Sequence, residues 1–470
     1  MKSVVCSGVI AVLTAAFIAL IRSTSASCNY EIWIVDQADS NNGTALVGYG
    51  GYIYIFQSRD LKKAHEIIDL GGEVSRLCFQ QTGSYPVRPH MLLFNLAHSH
   101  AVLAFVASGH VVIFRSADRQ PLACFRTTPG FNGLRQAHAG FTMGDDKYIV
   151  VANQNGKKVE RINVDWENEV FEHDMNATFT MYGNCTTPNN APCEDPVLRP
   201  DNAPICTPPG NPPLAFITLR GGGMFVLDYT KTPMQVVAEY DKNHIGANGC
   251  GGVAAGNYIT VTFVPAVHTP CRCRYINSGG GTPNNLYEFK VYKLPQTGYA
   301  AGNPPNTPVP KVVADDSTGE RDAHYAGVTY NQKIKASYFW QPDRAQSVID
   351  VFSFKSDKFV NRIDLKATNL STDPTPDALA ISPLMDYAFV SLRGLYPMSA
   401  DPHVSTGSSP GLGILRVIHS GRSAQLKAIV PIENLVNGTN RADPHALGLY
   451  VTRANCPEAY GFRRQLRGRS

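Results

Sequence analysis

Seven short segments of this chain share one local design, a tight turn that opens at once into a strand-like run. They are R-P-H ending at His90, R-Q-A-H at His138, R-P-D-N at Asn202, G-A-N at Asn248, R-D-A-H at His324, T-P-D at Asp377 and D-P-H at His445. Recurrence every few tens of residues marks a repeat architecture, because each unit buries its apolar face only against its neighbours. A chain built this way brings equivalent positions of distant repeats together, and here four of the seven positions are histidine.

Between landmarks the chain repeats a turn and four short runs rich in β-branched and aromatic residues, as strands require. His90 opens HMLLFNL, followed by HAVLAFVA, HVVIFRS and PLACFR; His324 opens HYAGVTY, followed by KASYFWQ, SVIDVFSF and FVNRIDL. After Asn248 the runs read CGGVAAG, NYITVTF, LYEFKVYKL and PKVVAD, and after Asn202 a proline-rich bend leads to LAFITLR, GMFVLDY and QVVAEY. Forty glycines and 32 prolines spread along 470 residues fit many turns, and helical periodicity is missing. Residues 31–69 hold three runs with no landmark before them, while His445 opens HALGLYVT with nothing after it. Joined, they make one complete blade, and a ring closed in this way has no open sheet edge. The reading is all-β: a seven-bladed β-propeller of four antiparallel strands per blade, closed by a composite blade from both termini. Cys28 and Cys456 flank the strands that must meet. A bridge between them would constrain a very long loop, worth roughly 4–5 kcal/mol in the entropic account.

Residues 1–27 read as a secretory signal: Lys2, an apolar run from Val4 to Ile21, then the small residues Ser25-Ala26-Ser27. The apolar run nearly reaches spanning length, so an uncleaved anchor is the alternative, but the small-residue exit favours cleavage. The expected organisation is a leader over 1–27, a propeller over 28–456 and a basic tail over 457–470. Of eleven cysteines only Cys6 lies in the leader, and the even remainder reads as disulfides in an exported chain. N-x-S/T sequons at Asn42, Asn176, Asn184, Asn369 and Asn437 suit a glycosylated extracellular protein. A formal net charge of +4, with its only dense basic run in the tail, implies no nucleic-acid partner, and no segment beyond the leader suggests stable membrane insertion.

The run T-P-D-A-L-A-I-S-P-L-M-D-Y-A-F-V-S-L-R-G at 375–394 resembles the P-D-x-x-x-x-S-P-D-G-x-x-x-[YF]-V pattern of the YVTN and quinoprotein amine dehydrogenase-like seven-bladed propellers, with Leu384-Met385 where Asp-Gly is usual. As a fold the resemblance covers residues 31 to 452, and one blade matches the motif well. It implies the propeller. For function it implies only a range, since these propellers serve as binding scaffolds, dehydrogenase subunits, lactonases and metal carriers. A dehydrogenase subunit would require a partner chain.

In a propeller the first strand of each blade lines the channel, so the landmarks face one another at one mouth. His90, His138, His324 and His445, with Asp377 as carboxylate ligand or orienter, are the expected metal-ligating set. Neutral imidazole suits zinc or copper, and an open coordination position would allow hydrolytic or redox chemistry. Arg88, Arg135, Arg199 and Arg321 precede landmarks by two or three residues. Arg88, Arg135 and Arg321 are the candidates for gripping a small anionic ligand. The alternative, inter-blade pairing with carboxylates, is preferred, for Arg199 with Asp195 or Glu194. His98 and His100 read as a solvated turn rather than a second metal pair, and His244 would enter the ring from its loop. Gly407-Ser408-Ser409-Pro410-Gly411 fits G-x-S-x-G in a loop that lacks the strand before and helix after the nucleophile. The leading function is thus a secreted propeller binding a transition metal, or a small anion, at its channel mouth, as metal carrier or metal-dependent enzyme. The rival is a non-catalytic scaffold whose rim loops, including 395–410, bind protein or glycan while the polar ring plugs the channel.

Overall fold

A computed structural model of the chain describes residues 28–41, 48–247, 249–250, 252–255, 273–280, 285–300, 307–316, 318–331, 336–452 and 454–456. The expected leader and tail, the sequon at Asn42, the landmark Asn248 and Cys271 lie outside them.

Seven antiparallel sheets succeed one another as blades. Blade 1 is the composite: from the axis outward it runs Pro444–Tyr450, Glu31–Asp36, Tyr52–Gln57 and Glu66–Asp69. Blade 2 begins with Pro89–Phe94, blade 3 with Ala137–Thr142, blade 5 with Gly252–Ala255, blade 6 with Gly327–Asn331 and blade 7 with Pro376–Ile381. Blade 4 carries the named strands Leu214–Thr218, Met224–Asp228 and Gln235–Tyr240. Its innermost strand is the proline-rich segment 204–209, which runs antiparallel beside Leu214–Thr218 through Ile205 N–H to Thr218 O (2.8 Å) and Thr218 N–H to Cys206 O (3.1 Å). Pro204, Pro208 and Pro209 have no N–H to give, so the ladder there is broken and the expected bend is a strand with gaps.

Ring closure is direct. Ile34 faces Leu447 and Glu31 faces Tyr450 in an antiparallel pair, and just outside it Cys28 is bonded to Cys456. Further bridges join Cys78 to Cys124, Cys185 to Cys193 and Cys206 to Cys250, a set that an oxidising compartment sustains. Blades pack face to face through side chains that alternate along each strand. Leu93, Phe141, Ile217 and Phe225 of blades 2, 3 and 4 share one buried cluster. Trp33, fully buried in blade 1, meets Phe94 of blade 2 edge-on at 5.3 Å between ring centres.

Two elements depart from the sequence expectation. The second strand of blade 5 is Cys273–Ser278, which lies between two of the runs read from the sequence, while the expected strand NYITVTF lies outside the described residues. A helix, Glu73–Thr82, joins blades 1 and 2, capped by Gly83 in the left-handed conformation (φ 74°) and pinned through Cys78–Cys124. No helix among the described residues is long and apolar enough to cross a membrane.

His110 fixes that helix to blade 2. Its Nε2 bonds Thr82 Oγ1 (3.0 Å) and Ser84 Oγ (3.1 Å), its Nδ1 bonds Ser108 Oγ (2.9 Å), and burial, then the charges of Arg126 and Arg135, push its pKa down to about 3. Between that value and the ordinary 6.5 the unfolded chain binds a proton that the folded chain does not, so the stabilising contribution is full above 6.5 and is lost as pH falls toward 3. The unfolding free energy of His110→Gln is expected to depend on pH less steeply than wild type between pH 4 and 6, by about 1.4 kcal/mol per pH unit. Urea denaturation across that range measures the two slopes; equal slopes would refute the assignment.

Candidate metal centre

The landmark residue enters the channel because of a recurring irregularity. In blade 2, Pro89 pairs with Phe105 and Leu92 with Leu103, so His90 and Met91 oppose the single residue Ala104. The same two-against-one bulge holds His445 and Ala446 in blade 1 and Asp377 and Ala378 in blade 7, and His138 is the unpaired extra residue in blade 3. In blade 6, three residues from His324 to Ala326 oppose two, between the Ala323–Asp343 bridge and the Gly327–Trp340 pair. A bulge adds a residue and re-aims its side chain. Here it turns a landmark toward the axis in each of these five blades.

The imidazoles form a continuous chain. His90 Nε2 lies 3.2 Å from His138 Nε2, the rings of His90 and His445 are 3.9 Å apart between centres, and those of His445 and His324 are 5.0 Å apart. His90, His324 and His445 are buried, while His138 is half-buried. His445 Nδ1 is enclosed without a hydrogen-bond partner. Burial holds His445 and His90 well below the ordinary histidine pKa, with the neighbouring imidazoles adding to the effect at His90, and it pushes His138 down to about 3. These three rings are therefore neutral, each with a lone pair to offer.

Asp377 closes the chain on the blade 7 side. Its Oδ1 accepts from His324 Nδ1 at 2.5 Å, and its Oδ2 accepts from Arg393 Nη1 at 2.6 Å and Arg344 Nη1 at 3.3 Å, with His445 Nε2 3.7 Å away. Burial opposes its ionisation, but the Arg344 and Arg393 guanidiniums, with His324, outweigh it and hold the carboxyl well below the usual range. Arg393 is clamped in turn by Asp443 (2.6 and 2.8 Å) and Arg344 by Asp322 (2.9 Å). His324, Asp377 and His445 each place a donor atom within 4.8 Å of the others. Because both carboxylate oxygens are engaged, Asp377 acts on the ring through His324: it fixes hydrogen on Nδ1 and leaves Nε2 free.

Sequence reasoning overlooked the residues that surround the ring. Gln37 Nε2 lies 2.6 Å from His90 Nδ1, and its Oε1 accepts from Ser399 Oγ at 2.6 Å. Ser399 belongs to the 395–410 loop, which is also tied down by Met398 N–H to Asp443 Oδ2 (2.6 Å), so this loop borders the mouth. Gln37, Gln154, Arg220, Arg344 and Arg393 all stand directly at the end of a blade's second strand. The backbone N–H of each bonds the landmark segment of its blade, as Arg393 does with Thr375 O and Arg220 with Ala203 O. The signal was legible in S-L-R-G at 391–394 and T-L-R-G at 218–221.

Other candidates sit elsewhere. Arg321 is fully buried and engaged by Asp316, Asp343 and Asp350, pairing within blade 6 and with blade 5 and leaving nothing for a ligand. Arg199 meets Glu239 at 3.5 Å and the carbonyls of Pro192 and Cys193, whereas Glu194 pairs with Lys157. Arg88 and Arg135 are half-buried at their turns, each with Nε unsatisfied. Asn202 is buried and its Nδ2 donates to Met181 O at 2.5 Å. His98 and His100 are not solvated: His98 stacks on Phe94 and its Nδ1 is 2.7 Å from Leu449 O, and His100 bonds Ser99 Oγ at 2.9 Å. His244 turns to Asp241 at 2.7 Å and stays exposed, away from the ring.

No protein-family model and no curated relative matches the sequence. Among solved structures, a periplasmic gluconolactonase from Pseudomonas aeruginosa is similar at 11% identity, with 90% of this chain and 99% of that chain covered and a TM-score of 0.51. A protein from Lactobacillus plantarum is similar at 9% identity, with 90% and 99% covered and a TM-score of 0.51. At these identities the likeness speaks for architecture alone. The chain is a seven-bladed β-propeller with a buried cluster of imidazoles and an ion-paired carboxylate at one mouth of its channel.

Proposed function

We propose that this protein is an exported propeller of the YVTN-like kind that holds one zinc or copper ion at its channel mouth, as a carrier. His90, His138, His324 and His445 are the ligands and Asp377 orients His324. The observation that carries the reading is the 3.2 Å between His90 Nε2 and His138 Nε2. Two nitrogens bound at about 2.0–2.1 Å to one tetrahedral ion stand about 3.3 Å apart. In the metal-free protein a single proton is shared between these atoms, and a cation would replace it. His445, whose Nδ1 has no other partner, lies beside this pair and within reach of His324. Imidazole nitrogen favours zinc and copper over calcium or magnesium. With four imidazoles taking the four positions, none stays open for water, which suits retention of the ion rather than hydrolysis.

Gln37 supports this arrangement. Turned so that its amide oxygen accepts from His90 Nδ1–H, it leaves Nε2 as the ligating atom and donates its own N–H to Ser399 Oγ. Protein secreted from its natural source is expected to contain one equivalent of zinc or copper by elemental analysis. His90→Ala combined with His138→Ala should lose it while keeping the β-sheet circular dichroism of wild type. Absence of stoichiometric metal, together with unchanged affinity in that double variant, would leave the imidazoles as channel plugs and the protein as a scaffold.

A further inference from the structure

His138 faces two different donor sets with its two ring nitrogens. Nε2 points to His90, while Nδ1 lies 4.0 Å from Cys206 Sγ, on the innermost strand of blade 4. Cys206 is bonded to Cys250, which precedes the innermost strand of blade 5, and donor atoms of His138, Cys206 and Cys250 lie within 4.8 Å of one another. Three consecutive blades thus place one nitrogen and two sulfurs around a point beside the imidazole ring. We propose that this bridge is a redox-gated second metal site, which reduction opens to a thiophilic cation such as Cu(I) or Cd(II), with His138 binding it through Nδ1 in place of the ring ion at Nε2.

The geometry needs little change. On a tetrahedral ion with metal–sulfur bonds of about 2.3 Å, nitrogen and sulfur stand about 3.6 Å apart and two sulfurs about 3.8 Å apart. The nitrogen–sulfur separation is already within a few tenths of an ångström of that value. The cysteine Cα atoms, 5.3 Å apart, let the sulfurs part by side-chain rotation alone. Thiolate donors would give this site a preference for soft cations that the all-imidazole ring lacks.

The opening step uses an external thiol, either a small thiol or a dithiol protein. Its thiolate attacks Cys250 Sγ, since Cys250 is 7% exposed and Cys206 is fully buried. The protein S–S bond breaks, Cys206 leaves as thiolate, and a mixed disulfide forms on Cys250. A second reagent thiolate attacks the reagent sulfur of that mixed disulfide, freeing Cys250 as thiolate and forming the reagent disulfide. Two thiols have then supplied two electrons, their protons have gone to water, and both cysteine sulfurs are ready to bind a cation. Loss of the bridge releases blades 4 and 5 from each other only locally, because the bridge spans 44 residues.

The test uses the full chain reduced with dithiothreitol and desalted under argon, with alkylation and mass spectrometry to confirm that Cys206 and Cys250 are free. Cadmium chloride is then titrated and the ultraviolet thiolate-to-cadmium absorption recorded. The expected result is one equivalent of Cd(II) bound with that absorption in reduced protein and none in oxidised protein. Affinity should fall at least 100-fold in Cys206→Ser and in Cys250→Ser, and about tenfold in His138→Ala. A bridge that resists the reductant until the fold is lost, or an absorption undiminished in both cysteine variants, would overturn the proposal. Should either variant fail to fold, X-ray absorption of the wild-type cadmium complex decides: a first shell without two sulfurs refutes it. His324→Ala, which removes a ring ligand and leaves the sulfurs alone, separates failure here from failure of the imidazole site.

Discussion

A Cys28→Ser, Cys456→Ser protein is expected to melt about 5 °C below wild type and to bind metal more weakly, although neither residue touches the ring. The bridge closes a separation of 428 residues, and its loss returns to the unfolded chain an entropy worth on the order of 5 kcal/mol. For a domain of this size, that free energy corresponds to a shift of about 5 °C if unfolding is one cooperative event. The second effect follows from what the bridge holds. Pro444–Tyr450 is the last strand among the described residues and the innermost of blade 1; it carries His445 and is paired on its outer side with Glu31–Asp36. Beyond that strand pair, Asn29 N–H to Asn455 O (2.8 Å) ties the chain beside the bridge and Gln37 N–H to Asp443 O (3.1 Å) ties it at the mouth. Without the bridge, strand ends fray more readily and His445 spends more time away from His90 and His324. Calorimetry and a competition titration with a chromophoric chelator read the two effects. A melting temperature equal to wild type would show that the strand pair alone secures closure.

The recurrence was legible because a propeller repeats a physical requirement. Each blade needs a turn at the mouth and strands that are apolar on both faces, and both leave marks in composition and spacing. The composite blade was legible for the same reason, since three runs at one end and one at the other are complementary. The bulges were not. Whether His90 points to the axis depends on two residues opposing one across a strand pair, a property of pairing that the string LLFNL does not carry. In blade 5 the pairing of Val253 with Tyr275 makes CRYINS the second strand, a role that its composition alone does not announce. His98 and His100 looked solvated because turns at strand ends usually are, yet Phe94 and Leu449 enclose one and Ser99 and Glu169 the other. Arg220 and Arg393 were visible as R-G pairs and Arg344, followed by Ala345, was not; their role emerges only when Asp377 is seen between Arg344 and Arg393.

Asp377→Asn is expected to cost 10–100-fold in metal affinity and about 2–4 kcal/mol of stability, the larger loss for binding from any single change outside the ligands. The carboxylate offers acceptors on both sides, to His324 through Oδ1 and to Arg393 and Arg344 through Oδ2. An amide has one acceptor and one donor. With its oxygen toward the arginines, its NH2 meets His324 Nδ1 and forces hydrogen onto Nε2, removing the lone pair a metal requires. With its oxygen toward His324, its NH2 confronts guanidinium N–H groups in a fully buried site, and a donor there is left without an acceptor. Arg393 keeps Asp443 and Arg344 keeps Asp322, so the fold should survive and the binding defect can be measured on a native protein. Chelator competition on Asp377→Asn beside His324→Ala makes the comparison: losses of similar size that do not add when combined would show that the carboxylate works through that imidazole. An Asp377→Asn protein with wild-type affinity would mean that the ring holds its ion, if any, without reference to the tautomer of His324, and that the three buried charges serve the joint between blades 6, 7 and 1 alone.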